Sequence, residues 1–487
     1  MMRKYTIGIV GGGAAGALAA VALLRRSKFA HAIIIEPRAQ LGRGVAYSTD
    51  CPLHLLNVPA AKMSAFQDQP DHFSQWLREH IGPPYNATSF VPRAIYGDYL
   101  DMTIREAQSQ AGSRLRHIRA LALDLHLDEA GVRIACSNGK TIDADALILA
   151  TGNAAPAKLP HISSEARLSP RFFTSVWDTG ATDPGAPDEE VLLLGTGLTA
   201  LDAVLGLRHN GHRGTIHMVS RRGLLPHEHR ALNAPFSACP KADTLSVLFK
   251  TVRAMVRDAQ SVAGNWRSAI DGIRPRTNAL WQALSLADQR RFLRHALPYW
   301  NVHRHRMAPQ AAKTIAELMA QNILRILAGR ICEITLNDDA LRVPILLRGS
   351  AKTQTLHVGR VINCSGPELD CRKVANPLVE SLLSQGLIAP HPLNVGIQTS
   401  SEGALIGADR TASNRLFAIG PARYGTLIET IAIPEIRVQA YNLAETMLGI
   451  PATQSVVNVE RRSVPAVLTY ADLATNALAE PYYAFGI

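Results

Sequence analysis

The sequence predicts an α/β protein made of two similar doubly wound units, each with an antiparallel β-meander, plus a helical insertion. Three observations lead to this fold class. A glycine-rich turn follows a short apolar strand near residue 11, a second such turn follows another apolar strand near residue 195, and the strands behind both turns recur in the same order. At 487 residues the chain can form two or three hydrophobic cores.

The apolar run at residues 7–24, IGIVGGGAAGALAAVALL, has features of an export signal, a membrane helix and a nucleotide-binding turn. The context favours the turn. Tyr5 to Val10 is typical of a buried strand, the glycines have the G-x-G-x-x-G spacing, and residues 17–26 are typical of a helix. A second apolar run ends in Glu36, about twenty residues past the last glycine, where an acid reaches a ribose 2′-hydroxyl.

Each glycine of the first turn has a physical role in this prediction. Gly11 makes the tight turn, Gly13 lets the backbone approach a pyrophosphate, and Gly16 allows the helix to pack closely on the strand. The N-terminus of the helix offers unpaired N–H groups and a positive dipole end to phosphate. The candidate residues of this site are Gly11, Gly13, Ala14, Ala15, Gly16, Glu36 and Pro37.

The second glycine turn has the pattern G-x-G-x-x-A and different charges. Where the first unit has Glu36, the second has Ser220, Arg221 and Arg222. Guanidinium groups bind a 2′-phosphate that a carboxylate would repel, so the second unit is expected to bind NADP and the first a dinucleotide with a free ribose. A solvated strand end is the alternative for the two arginines. The candidate residues are Gly195, Thr196, Gly197, Leu198, Thr199, Ala200, Arg221 and Arg222.

An internal repeat supports one architecture used twice. In the first unit, alternating strands are predicted at 116–127, 132–137 and 141–142, followed by a buried strand at 146–150. In the second unit the corresponding segments are 331–336, 341–346, 353–356 and 361–366. The first buried strand ends in Thr151 and Gly152, whose small size lets the backbone approach a cofactor.

Residues from about 241 to 321 carry helix-period apolar patterns, which predict the helical insertion. Its segment 300–306 concentrates aromatic and cationic side chains, including Arg304 and Arg306. These arginines could bind a substrate carboxylate or cap the nicotinamide cleft, and a solvated basic helix face is the alternative. The histidines there lack an accompanying carboxylate or cysteine, so no metal is expected.

The repeat also predicts domain boundaries. The first dinucleotide-binding domain is expected at 1–158 and 366–450, the second at 188–365 with the insertion inside it, and a C-terminal tail at 451–487. A Gly-, Pro- and Asp-rich run at 178–188 and the pair Gly366-Pro367 are the predicted linkers.

The segment Ala150-Thr151-Gly152, between the two glycine motifs, resembles the two-dinucleotide-binding-domain flavoproteins, in which the first Rossmann-like domain holds FAD and the second NADPH. More narrowly, several segments resemble bacterial FAD/NAD(P)-binding proteins of the YdhS type, which are related to flavin monooxygenases. These segments include LGRGVAY at 41–47, HLLNVP at 54–59, GTGLTA at 195–200, HRHRM at 303–307 and AIGP at 418–421.

The resemblance implies roles for further residues. Arg43 and Gly44 are expected along the FAD, His54 to Asn57 near its isoalloxazine, and Gly420 and Pro421 at the start of the last helix, facing the flavin. Alternatively, Arg43 lies in a surface loop, and His54 and Asn57 satisfy a buried turn. The weak catalytic candidates are His54, Asn57, Arg304 and Arg306.

The activity implied is that of an FAD-dependent, NADPH-using oxidoreductase. The leading expectation is a monooxygenase that oxidises a small nucleophilic substrate, such as an amine, through a flavin hydroperoxide. The alternatives are an NADPH dehydrogenase or reductase without oxygen insertion, and a non-catalytic FAD-binding redox sensor. Two departures weaken the oxygen chemistry: Phe172 to Trp177 stands in place of an F-x-G-x-x-x-H stretch, and the first glycine motif does not end in the asparagine common in siderophore ornithine hydroxylases.

Composition limits the partners. The net charge of +11 suits nucleic acid, anionic membranes or anionic ligands, but no run of Lys or Arg exceeds a pair, so no nucleic-acid partner is expected. No other apolar stretch has membrane-spanning length, and the 6 cysteines lack the spacing of a redox-active disulfide. A cytoplasmic protein with a small-molecule substrate is therefore expected.

Overall fold

The computed structural model describes residues 4–183, 185–230, 240 and 244–449. The helices are α1 (Ala14–Arg26), α2 (His72–His80), α3 (Arg93–Ala111), α4 (Ser164–Leu168), α5 (Leu198–His209), α6 (Leu245–Ala263), α7 (Arg267–Ile273), α8 (Thr277–Ala283), α9 (Leu286–Arg291), α10 (Leu297–Arg304), α11 (Pro309–Ala320), α12 (Pro377–Ser384) and α13 (Ile433–Met447). The strands are β1 (Tyr5–Val10), β2 (Ala30–Ile35), β3 (Leu115–Ile118), β4 (Ala122–Leu127), β5 (Val132–Cys136), β6 (Thr141–Ala144), β7 (Ala146–Leu149), β8 (Phe172–Phe173), β9 (Val191–Leu194), β10 (Ile216–Ser220), β11 (Leu324–Ile331), β12 (Thr335–Asn337), β13 (Ala340–Leu347), β14 (Thr353–Val358), β15 (Arg360–Asn363), β16 (Ala404–Ile406) and β17 (Ala412–Ala418).

The first sheet has the strand order β16-β17-β7-β1-β2-β3. Strand β1 pairs in parallel with β2 and β7, and β17 pairs in parallel with β7, so a segment from late in the chain completes a sheet begun at the N-terminus. Helix α1 packs against α13, and its buried alanines let the two helices approach closely. The β1 residues Ile7 and Ile9 belong to the same core as these helices.

The meander of the first unit is a separate antiparallel sheet of β4, β5 and β6. The sequence placed all of residues 116–127 in this meander, and that part of the prediction is wrong. Strand β3 extends the parallel sheet instead, with Leu115 opposite Ala32 and Ile118 opposite Ile35. Alternating side chains identify a strand but not its partner, because any half-buried edge produces the same alternation.

The second sheet has the order β12-β13-β11-β10-β9-β15-β8, with β14 paired to β13. Strands β9, β10, β11, β15 and β8 form its parallel part. The antiparallel strands of the second unit do not form a sheet of their own, because β11 is long enough to pair with β10 near its start and with β13 near its end.

Helices α6 to α10, with a π-helical turn at Phe292–Ala296, lie between β10 and β11 in the chain. Helix α11 follows them, and its Ile315 and Leu318 join the core of the second sheet. The predicted insertion is therefore helical, but α11 packs as the crossover helix of the doubly wound unit rather than with the helices before it. Residues 241–243 and the predicted tail 451–487 lie outside the described residues.

In the part of the chain described here, none of the helices combines the length and the apolar character needed to cross a membrane.

Candidate functional site

The first glycine turn has no room for side chains where its backbone segments meet. Gly11, directly after β1, has a φ of +105°, and a Cβ added to it would lie 2.3 Å from the carbonyl oxygen of Ala150. A Cβ on Gly16 would lie 1.9 Å from the carbonyl oxygen of Gly11. Both positions therefore require glycine for the fold itself, whatever the turn binds.

Gly13 differs, because its missing side chain leaves open space. The nearest atom to a Cβ placed there would be the Cα of Gly44, at 3.4 Å. Gly13 is also the N-cap of α1 and provides no side-chain cap, so the first N–H groups of the helix keep their capacity to bind an anion. Gly44 therefore lies beside the glycine turn, and its position along FAD stays a prediction.

Glu36 closes the first site at the end of β2. It is 4% exposed, and its carboxylate accepts hydrogen bonds from the Gly12 amide at 2.8 Å and from Arg38 Nε at 2.8 Å. Burial raises the pKa of Glu36, but the hydrogen bonds from Arg38 and Gly12 outweigh it and the net pKa is lowered. Glu36 is thus an ionised acceptor. The sequence prediction missed Arg38, although Arg38 is only two residues from Glu36. Pro37, between these two residues, is exposed.

Thr151, Gly152 and Pro421 line a cavity of about 620 Å³, and Thr151 is next to the first turn, since a Cβ on Gly11 would lie 3.3 Å from its amide nitrogen. Gly420 lies against α1, where a Cβ on it would be 3.4 Å from that of Ala15. The structure therefore brings the end of the buried strand, the Gly420 turn and the N-terminus of α1 together. One prediction is wrong in detail: Gly420–Arg423 forms a 3₁₀ turn, and the last helix begins only at Ile433, because Pro434 suits its first turn.

The side chain of His54 forms a hydrogen bond between the two units. Its Nε2 donates to the carbonyl oxygen of Asp202 on α5 at 2.8 Å, which leaves Nδ1 to accept from the Thr49 hydroxyl at 2.7 Å. Burial lowers the pKa of His54, so the ring is neutral. Asn57 accepts a hydrogen bond from His229 through its backbone oxygen at 3.1 Å. With both ring nitrogens occupied, His54 fits the alternative interpretation of a satisfied buried turn.

The side chain of Arg43 points to α3 and pairs with Asp98. Its neighbour Gly42 holds the loop on the first turn through a hydrogen bond of 2.8 Å from its amide to the carbonyl oxygen of Gly12. The backbone of this loop, rather than the Arg43 guanidinium, is therefore the part that lies beside Gly13.

The second glycine turn repeats the geometry of the first. Gly195 has a φ of +132°, and a Cβ on it would lie 2.5 Å from the carbonyl oxygen of Cys364. Gly197 is the N-cap of α5, and a Cβ there would meet nothing within 4 Å. Between them, Thr196 anchors the turn by donating to the carbonyl oxygen of Leu224 at 2.6 Å. Leu198 and Thr199 begin the helix, and Ala200 is buried against the sheet.

The arginines after β10 lie in two adjoining concavities. One, of about 350 Å³, opens from Thr196, Gly197 and Leu198 and includes Arg221 and Arg222. The other, of about 340 Å³, is lined only by basic residues, namely Arg221, Arg222, Arg294, His295 and Arg348. The sequence prediction missed Arg294 and Arg348, since they come from the insertion and from the end of β13 and no motif links them to the turn.

Arg304 and Arg306 are buried and each forms an ion pair. Arg304 is 6% exposed and pairs with Glu429 at 2.9 Å, and Arg306 is 2% exposed and pairs with Asp271. The alternative of a solvated helix face is therefore wrong for both residues. A role in binding a substrate carboxylate stays a prediction for Arg306, whose Nε and Nη1 are buried without a hydrogen-bond partner. The ion pair of Arg304 with Glu429 connects the insertion to the segment that follows Gly420.

We expect Arg304→Ala to lower the free energy of unfolding by about 2 kcal/mol, because it leaves the Glu429 carboxylate buried without its partner. Burial raises the pKa of Glu429, so the carboxyl can take up a proton and limit the loss. The measurement is urea-induced unfolding. Arg291→Ala is the control, since Arg291 pairs with Asp288 at an exposed position, and a change within about 0.5 kcal/mol is expected. Equal effects in the two variants would contradict the assignment.

Within the described residues, no group of three or more His, Cys, Asp or Glu side chains could hold a metal ion. Burial raises the pKa of Cys364, which follows β15, far above the usual value of a thiol. Cys239 lies outside the described residues.

Comparisons with known proteins agree with this geometry. Residues 8–154 match a family model described as FAD-NAD(P)-binding. No curated protein sequence matches the chain. Among solved structures, a cadaverine monooxygenase from Erwinia amylovora, solved with FAD bound, has 11% sequence identity and a TM-score of 0.64, with 96% of this chain and 100% of that chain covered.

Two further solved structures have the same architecture. The ornithine hydroxylase from Pseudomonas aeruginosa has 15% identity and a TM-score of 0.62, with 92% of this chain and 100% of that chain covered. The bacillithiol disulfide reductase from Staphylococcus aureus has 15% identity and a TM-score of 0.54, with 92% and 99% covered. The chain therefore has the two-domain α/β fold of FAD/NAD(P)-binding monooxygenases and reductases.

Proposed function

We propose that this chain is an FAD-dependent oxidoreductase that uses NADPH, and that it belongs to the YdhS type. The observation that carries the proposal is the opposite charge beside its two glycine turns. Ionised Glu36 stands at the first turn, and Arg221 and Arg222 stand at the second. A carboxylate accepts hydrogen bonds from a free ribose and repels a 2′-phosphate, whereas guanidinium groups bind that phosphate. The two turns therefore suit two different dinucleotides.

The residues around the first turn fit FAD. Its pyrophosphate would bind at the open side of Gly13, where the amides of Ala14 and Ala15 begin α1. The cavity lined by Thr151, Gly152 and Pro421 lies near this point, since Gly420 packs against Ala15, and it offers room for the rest of the cofactor. When bound, FAD supplies the chemistry of accepting a hydride from NADPH and passing two electrons onward.

The residues around the second turn fit NADPH. The N-terminus of α5 at Gly197 would hold the pyrophosphate, and the basic concavity would hold the 2′-phosphate. Arg294 and Arg348 add two positive charges to those of Arg221 and Arg222, which the sequence predicted. The Arg222 guanidinium also lies 5.5 Å from the ring centre of Tyr299, which helps to keep it in place.

The proposed reaction is the monooxygenation of a small nucleophilic substrate, with an amino group as the leading candidate. Its support is the fold shared with a cadaverine monooxygenase and an ornithine hydroxylase. The alternative is an NADPH dehydrogenase or reductase, since a disulfide reductase shares the fold as well. Reduction of a disulfide by thiols of this chain has little support at the second turn, because Cys364 is buried and its raised pKa keeps it protonated. An FAD-binding redox sensor is the remaining alternative.

The test begins with the absorption spectrum of the purified protein and its NADPH consumption under air. We expect bound flavin, NADPH oxidation, and a separate absorbing species when the reduced protein is mixed with oxygen. Prompt return to the oxidised spectrum without that species would support the dehydrogenase. Bound FAD with negligible NADPH oxidation would support the sensor. A protein that neither contains nor binds flavin would overturn the proposal.

A further inference from the structure

The helical insertion encloses an apolar cavity that the proposed dinucleotide sites do not use. Helices α6, α7, α8 and α10 and the π-helical turn at 292–296 surround it, and Ile428 closes it from the first unit. Its aromatic lining residues are Phe249, Trp281, Phe292, Tyr299 and Trp300. Helices of an insertion normally bury such side chains against one another, so a remaining space among them suggests an occupant.

Three polar groups in the cavity wall are directed to the protein backbone, and Arg253 is the charged residue of the lining. Trp281 Nε1 donates to the carbonyl oxygen of Gly425 at 2.8 Å, His303 Nδ1 donates to that of Tyr299 at 2.8 Å, and the Thr277 hydroxyl donates to that of Ile273 at 3.4 Å. Burial lowers the pKa of His303, so its ring is neutral. A polar group placed among these groups would lose its hydration with little compensation, and a cation would also meet the positive charge of Arg253, so the part of an occupant that lies inside the cavity must be apolar.

The shape of the cavity limits the occupant further. The cavity has a volume of about 80 Å³. This narrow space does not admit an α-helix of a partner protein, which is roughly 10–12 Å across. It suits a slim hydrocarbon chain of a small molecule.

The cavity wall is joined to the proposed FAD site. Asn278 on α8 exchanges two hydrogen bonds of 2.9 Å with the backbone of Glu429, and Trp281 holds Gly425 as described above. Residues 424–430 follow directly on the Gly420 turn, and Thr430 donates back to the carbonyl oxygen of Gly420 at 2.8 Å. An occupant of the cavity would therefore contact a segment that also shapes the first site.

We propose that this cavity binds the unbranched apolar chain of the substrate, so that the preferred substrate is an alkyl amine rather than a short, doubly charged one. The choice of amine rests on the proposed function, whereas the binding of an alkyl chain rests on the cavity alone.

The experiment measures binding of n-butylamine, n-hexylamine and n-octylamine to the full-length protein by calorimetry. We expect affinity to rise about fourfold for each added methylene, since burying one contributes about 0.8 kcal/mol. Affinity that does not change with chain length would overturn the proposal.

Two variants on α6 test the location. Val252 lines the cavity, so Val252→Phe should fill it and reduce the gain from butylamine to octylamine by roughly tenfold or more. Val262 is 77% exposed on the same helix, so Val262→Phe should bind like the wild type. If Val252→Phe does not fold, Leu280→Phe on α8 serves the same purpose. Unchanged binding in a folded cavity-filling variant would contradict the location.

This binding does not require NADPH oxidation. Binding that depends on chain length without amine-stimulated NADPH oxidation would therefore contradict the proposed monooxygenase and leave the cavity proposal standing. NADPH oxidation and oxygen reactivity without that dependence would contradict the cavity proposal alone.

Discussion

Gly13→Val is expected to give a folded protein that retains about a tenth or less of the wild-type flavin, because the valine fills the side of the turn that a pyrophosphate would approach. Gly13 has a φ of −71°, which any residue adopts, and its Cβ would have no neighbour nearer than 3.4 Å. Backbone strain therefore does not oppose the substitution. The measurement is flavin absorbance per protein, together with thermal unfolding of the flavin-free form.

Gly16→Val, in the same turn, is the matched control for stability. Its Cβ would lie 1.9 Å from the carbonyl oxygen of Gly11, and neither backbone segment can yield without moving β1 or α1. We expect a loss of about 3 kcal/mol in the free energy of unfolding. Both variants should thus lack flavin, but only Gly16→Val should be unstable without it. Wild-type flavin content in Gly13→Val would place the FAD elsewhere.

The double variant Arg221→Ala/Arg222→Ala is expected to raise the dissociation constant for NADPH roughly 100-fold or more. Each charge-assisted hydrogen bond contributes about 1.5–3 kcal/mol, and two are removed from the 2′-phosphate. Arg294 and Arg348 remain in the concavity and keep part of the affinity. NADH lacks this phosphate, so its dissociation constant should change by roughly threefold or less. Titration of both nucleotides against the flavin-loaded protein measures the two values.

Arg325→Ala is the control for the loss of positive charge, since Arg325 is exposed on β11 of the same sheet and lines neither concavity. It should leave both dissociation constants within about twofold, because a single distant charge is screened by salt. Equal loss of NADPH and NADH binding in the double variant would show that the arginines support the turn rather than select the phosphate. No change at all would favour the solvated strand end.

The parts of the fold that the sequence predicted correctly depend on short stretches of chain. The strand-turn-helix units at residues 5–26 and 191–209 follow from glycine spacing and local periodicity, both of which act over a few residues. The sheet that a strand joins does not follow in this way. Leu115–Ile118 alternates as a meander strand would, and only the docking of α3 and the pairing with β2 place it in the parallel sheet.

The sequence by itself determined the two glycine turns, the carboxylate at one and the arginine pair at the other, because each charged group follows its turn by about twenty residues within one strand-turn-helix-strand unit. Only the tertiary structure decided what lies around them. It added Arg294 and Arg348 to the arginine pair, gave Arg304 the partner Glu429, and left an apolar cavity inside the insertion. Ion pairs and cavities depend on which distant segments pack together, and periodicity within a single segment carries no record of that packing.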